Sequence, residues 1–174
     1  IDDRAGQLAY FALMMKARSK NRRIFREKIE MNLCAIQESS GFPKEAIDLL
    51  VSRKDTNLEK QIRRQEVEYL IEVFNEAKEY GSILDVKKID FELIEKRVGE
   101  IIKGHFEDLL EYQFRNIIIG RFLPLIKQAK IMSGKYDVVC TNPPYMGSRK
   151  GMNAKLKKFV ERNYKDSKSD LYTC

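Results

Sequence analysis

The chain has 174 residues, 43% hydrophobic and 34% charged, with a net charge of +7. This composition suits one soluble globular domain with a real core and excludes a disordered chain. No apolar run approaches the ~20 residues needed to span a bilayer, so no membrane contact is expected. Three dispersed cysteines (Cys34, Cys140, Cys174) and a lone His105 argue against a disulfide framework or a structural zinc site, and favour a reducing cytoplasm. The opening residues Ile1-Asp2-Asp3-Arg4 lack the basic start and apolar run of a signal peptide.

Asp2 or Asp3 can cap a first helix running to about residue 19. Leu8, Phe11, Ala12 and Met15 recur at helical spacing, and Leu13 and Met14 widen the stripe, so one side is expected to be well buried. Residues 19–23 read as a loop or frayed end. Ile29, Met31, Leu33 and Ala35 then alternate with their neighbours, predicting a strand of about seven residues. Residues 39–43 read as a turn, with Pro43 suited to open a helix over about 44–52. Thr56 or Asn57 can cap a long polar helix reaching about Tyr80. Its apolar stripe is Ile62, Val67, Leu70, Ile71, Phe74 and Ala77, and Gly81 stops it.

The short apolar segment Ser82-Ile83-Leu84-Asp85-Val86 is consistent with a buried parallel strand. Helices are expected at about 90–103 and 105–132, with Pro124 kinking or breaking the second. Residues 136–141 are the strongest strand prediction in the chain. A basic loop at 146–151 leads into a helix at about 153–164. Strands separated by long helical stretches predict an α/β fold with a parallel sheet.

Charge is uneven along the chain. Residues 1–30 carry eight Lys/Arg against four Asp/Glu, and residues 141–174 carry eight against three, whereas the middle is slightly acidic. Basic ends suit a nucleic-acid partner, but Lys and Arg also simply solubilise surface helices, and charge alone does not choose between these. The run Arg22-Arg23-Ile24-Phe25-Arg26 has the same two readings.

The tetrapeptide Asn142-Pro143-Pro144-Tyr145 directly follows the predicted strand 136–141. Two prolines forbid both helix and ladder pairing, which stiffens the loop. Such a loop leaves a sheet at the strand's carboxyl end, where ligands bind in open α/β folds. The Asn142 side-chain carbonyl and the Pro143 backbone carbonyl are two acceptors that can grip both hydrogens of an amino group. Tyr145 adds a flat aromatic face.

Residues 136–145 resemble the catalytic motif, (N/D/S)-P-P-(Y/F/W), of amino-methylating, S-adenosylmethionine-dependent methyltransferases. The flanks Met146-Gly147-Ser148, Gly151-Met152-Asn153 and Ser167-Lys168-Ser169-Asp170-Leu171-Tyr172 are similar to the adenine-specific DNA methyltransferases of phage-exclusion (BREX) systems and large type II restriction-modification enzymes. Ile1-Asp2-Asp3-Arg4-Ala5 resembles the tail of the family's second motif, which makes Asp2 the candidate cofactor contact. The acid that grips the cofactor ribose in this family would precede Ile1, no Gly-x-Gly loop occurs in the chain, and Ser82 stands where the third motif usually has Asp.

The resemblance implies an incomplete Rossmann-like methyltransferase sheet with a large, mainly helical insertion. Residues 1–174 would be a fragment of one methyltransferase domain, inactive alone, with the insertion at 20–80 and the catalytic-motif half at 81–174. The 139 residues between Asp2 and Asn142 support an insertion, since two crossover units need roughly 60–70. The implied activity is N6-adenine methylation of DNA. Asn142 and the Pro143 carbonyl would hold the target nitrogen, Pro144 would stiffen the loop, and Tyr145 would stack on an adenine flipped from the duplex. Lys150, Lys155, Lys157 and Lys158 are candidate phosphate contacts. The expected partners are double-stranded DNA, the rest of the polypeptide and other subunits of a defence system. Two alternatives remain: methylation of another planar amino group, on a protein glutamine or an RNA adenine, and a non-catalytic DNA-binding or docking module.

Overall fold

The computed structural model describes residues 3–29, 31–51, 55–106, 108–140 and 152–164. Side-chain caps open four helices, three of them where the sequence places them, whereas α6 starts four residues later than the expected 105. Thr56 opens helix α3 (Asn57–Val73) with a reciprocal capping box to Glu59. Asp90 accepts from the Leu93 amide to open α5 (Phe91–Lys103), and Asp108 from the Leu110 amide to open α6 (Leu109–Ile117). Asn153 accepts from Leu156 to open α8 (Ala154–Asn163). The remaining helices are α1 (Asp3–Lys20), α2 (Lys44–Leu50, with Pro43 just before it), α4 (Ala77–Tyr80) and α7 (Leu123–Met132).

Two predicted long helices are divided. The 56–80 helix ends at Val73, and Glu76 takes a left-handed conformation (φ 56°) before the chain restarts as α4. Residues 105–132 become α6, a π-helical turn at Ile118–Phe122, and α7. Pro124 supplies no amide to the carbonyl four residues back, at Gly120, and its ring crowds that carbonyl. The wider turn accommodates both effects.

Among the described residues there is no β-strand, so the expected α/β fold with a Rossmann-like parallel sheet is not what they form. All three predicted strands are corrected. Apart from the undescribed residue 30, residues 29–36 run as irregular chain. A strand needs a neighbour for its amides and carbonyls; here the following residue, Gln37, finds a helix side chain instead. The buried Gln128 carboxamide of α7 accepts from the Gln37 amide at 2.7 Å and donates to its carbonyl at 3.2 Å. The apolar run at 82–86 begins inside a 3₁₀ turn (Gly81–Ile83) and drives Val86 into the helical core. Residues 136–140 are irregular, with Val138 78% and Val139 73% exposed; Thr141 lies outside the described residues.

The core is helix on helix. Ala46, Ile47 and Leu50 of α2, Val67 and Leu70 of α3, Ile94, Val98 and Ile101 of α5, and Leu125, Ile126 and Ala129 of α7 form one buried cluster, closed by Phe74, Ile118 and Phe122. α5 shows the cause most plainly: its buried Phe91, Ile94, Val98 and Ile101 are spaced three and four apart. Arg121 of the π turn donates to the Ser40 and Gly41 carbonyls and lies over the Phe42 ring, tying the turn before α2 to this core. A smaller cluster packs Leu156 and Val160 of α8 against Tyr80 and Ile83. α1 departs from expectation. The helix is present, but Leu8, Phe11, Leu13 and Met15 are 49–69% exposed, because no described element covers that stripe.

Candidate functional site

Asn142, Pro143, Pro144, Tyr145, Lys150 and Asp2 lie outside the described residues. What the structure describes is the frame around the motif. On its N-terminal side is the irregular, solvent-facing run 136–140. On its C-terminal side α8 begins under tight restraint. Asn153 spends its carbonyl on the α8 cap and its amide on Glu79, donating to Oε2 at 2.5 Å. Two residues on, Lys155 Nζ meets Glu76 Oε1 at 2.5 Å. Tyr80 and Phe159 stack with ring centroids 4.5 Å apart, and the Tyr164 hydroxyl donates to the Ile83 carbonyl at 2.6 Å. The start of α8 is therefore pinned to α4 and to the residue before it by polar bonds, and the helix packs against α4 along its length.

This geometry separates the candidate lysines. Lys155 is engaged: the hydrogen bond and charge of Glu76 hold its ammonium above the ordinary lysine value. Lys157 and Lys158 are exposed, Lys158 on the side of α8 opposite the buried Leu156 and Val160 and Lys157 at the flank of that face. Sequence reasoning missed Glu76 and Glu79. Their only signal is a pair of carboxylates three apart beside the left-handed break, and such a break on a non-glycine residue is not legible in the sequence.

Elsewhere the chemistry is sparse. His105 is exposed between α5 and α6. Among the described residues no group of His, Cys, Asp and Glu is placed to hold a metal ion. Burial pushes the Cys34 thiol up against the opposing pull of Lys127, the reverse of an activated nucleophile. An open groove of about 730 Å³ runs beside α5 and α7, lined by apolar groups such as Met31, Val98, Ile102, Leu123 and Ile126. Its one acid, Glu95, is held by Lys130 at 2.8 and 2.9 Å. S-adenosylmethionine needs a free carboxylate for its ribose hydroxyls and backbone amides for its amino-acid end. The groove offers no free carboxylate, so it does not fit that cofactor.

No helix among the described residues is long and apolar enough to cross a membrane. Comparison with known proteins identifies the chain by descent. It is 31% identical over 193 residues to the adenine-specific methyltransferase BrxX of Escherichia coli O9:H4 (strain HS), covering 99% of this chain and 15% of that protein. It is 37% identical over 180 residues to the adenine-specific methyltransferase PglX of Lacticaseibacillus casei (strain Zhang), covering 99% of this chain and 14% of that protein. The chain thus spans about one seventh of these relatives. Residues 1–174 match one family from end to end, and the chain belongs to the Eco57I restriction-modification methylases.

Proposed function

We propose that the protein containing this chain methylates the N6 amino group of adenine in double-stranded DNA, in a restriction-modification or phage-exclusion system of the cytoplasm. One observation carries the reading: the end-to-end family match includes Asn142-Pro143-Pro144-Tyr145 in a chain whose relatives are named adenine-specific methyltransferases. Asn142 Oδ1 and the Pro143 carbonyl accept the two N6 hydrogens, which turns the nitrogen lone pair out of the base plane. Pro144 removes a competing donor and stiffens the loop. Tyr145 stacks on the extruded base. Such a site works by positioning, and no side chain here needs to act as a nucleophile.

S-adenosylmethionine supplies the methyl group, held mainly by residues beyond those described, with Asp2 the contact from this chain. Residues 81–174 form the motif-bearing half, and residues 20–80 a helical insertion whose apolar face joins the same core. The rest of the polypeptide and other defence subunits are its protein partners.

The test uses the intact protein with radiolabelled S-adenosylmethionine and three acceptors: duplex DNA, RNA and protein. Label is expected on adenine N6 of duplex DNA, and Asn142→Ala is expected to abolish it with folding intact. Label on RNA or on protein glutamine instead, or methylation that survives Asn142→Ala, overturns the reading.

A further inference from the structure

Residues 16–28 carry seven Lys/Arg and one carboxylate, Glu27. The structure makes this segment a built corner. The Asn21 amide closes the end of α1 onto the Ala17 carbonyl, and a 3₁₀ turn follows at Ile24–Arg26. Asn21 Oδ1 accepts from the Arg23 amide at 2.9 Å, while its amide faces both Glu27 oxygens at 3.3 Å. The one acid of the segment is thus drawn back onto the turn. Ile24 is buried and anchors the corner, whereas Phe25 beside it is 55% exposed with the Arg18 guanidinium 5.8 Å from its ring centre. Lys20, Arg22, Arg23, Arg26 and Lys28 are all exposed. Among the described residues the ion pairs involve Arg63, Arg64, Arg97, Lys130 and Lys155, and none involves a cation of this corner.

A cluster of six cations and one acid on a fixed turn, with no ion pair to its cations among the described residues, makes a strong positive local field. The complementary partner carries closely spaced negative charge. B-DNA presents one charge per ~1.7 Å of axis, so a corner with six cations can engage several phosphates at once. We propose that the corner of residues 18–28 is a contact surface for the phosphodiester backbone of duplex DNA, holding the duplex through Arg22, Arg23 and Arg26. These cations give affinity and register without reading sequence. Arg18 is kept in place by Phe25. The inference rests on the DNA-modifying reading above and adds a surface remote in sequence from the motif.

The experiment measures binding of the intact protein to a 30-base-pair duplex across a salt series, without any methyl donor. Each phosphate contact contributes about 0.9 to the slope of log affinity against log salt. The triple variant R22Q/R23Q/R26Q is expected to flatten the slope by about 2–3 and to weaken binding at least tenfold near 0.1 M salt. R22K/R23K/R26K, which keeps the charge, is expected to hold the slope within one. A charge-matched control, K87Q/K88Q/K96Q, removes exposed cations from the segment before α5 and from α5 itself, and is expected to change the slope by less than one. Single substitutions should each cost about 0.9, which keeps the test open if the triple does not fold. An unchanged slope in the triple, an equal loss in the control, or a loss seen only with RNA overturns the proposal. Because no methyl transfer is read, failure of the catalytic reading leaves this result interpretable: a protein that binds duplex through the corner yet methylates nothing separates the two.

Discussion

At the scale of single residues, the chain separates groups that only hold structure from those offered to a partner. Gln128 is fully buried, yet both ends of its carboxamide are satisfied by the Gln37 backbone. Lys155 belongs to Glu76, whereas Lys157, Lys158 and the arginines at 22, 23 and 26 face solvent. Tyr145 is the residue whose role is most sharply testable. A stacking ring keeps its function as phenylalanine, so Tyr145→Phe in the intact protein is expected to methylate DNA at near the parental rate. Tyr145→Ala loses the base contact, ~1–3 kcal/mol for base–aromatic stacking. That is about 5- to 150-fold in rate at limiting DNA. Parallel melting curves complete the test: a merely structural tyrosine would lower melting temperature and rate together.

At the scale of elements, capping explains why helix starts are legible and helix interiors are less so. The Thr56–Glu59 box shows the physics at one terminus. Hydrogen bonds from the Thr56 hydroxyl and then its amide hold the Glu59 carboxyl below the ordinary carboxylate value. A lowered folded pKa gives stability that is present above the unfolded value, near 4.5, and lost as pH falls through the folded one. Glu59→Gln is therefore expected to lower the melting temperature at pH 7, with the gap to the parental chain narrowing as pH falls below 4.5. A gap that is constant from pH 7 to pH 3 would show that the carboxylate charge is not what the cap uses. Where one helix was expected over 105–132, Pro124 and the π turn divide it, and the turn places Ile118 and Phe122 in the core and Arg121 against the 40–42 turn.

At the scale of the molecule, helices from both sides of residue 81 share one buried cluster, so the two stretches stand or fall together. Phe122 is a fully buried member of that cluster, with its ring centre 5.8 Å from that of Phe42. Phe122→Ala is expected to cost about 3–5 kcal/mol, the range for emptying a buried aromatic site. In urea it should lower the midpoint of one transition, followed by circular dichroism, rather than split it into two. Two separate transitions would mean that residues 20–80 fold independently of the rest.

What the sequence by itself determined is local chemistry. Thr56 marks a helix start because a cap bonds within three residues, and Asn142-Pro143-Pro144-Tyr145 identifies its family because a motif is a string. Tertiary structure decided what depends on neighbours. The alternation at 29–36 and the valines at 138 and 139 satisfy every local requirement of a strand. Strand pairing, however, is a contract between distant segments, and no described segment pairs with them as a strand. The stripe of α1 likewise has the spacing of a buried face but remains exposed, since burial is a property of what packs against a helix. Glu76 in its left-handed turn, and its hold on Lys155 from 79 residues away in the chain, are products of the packed fold alone, where the start of α8 meets the turn before α4.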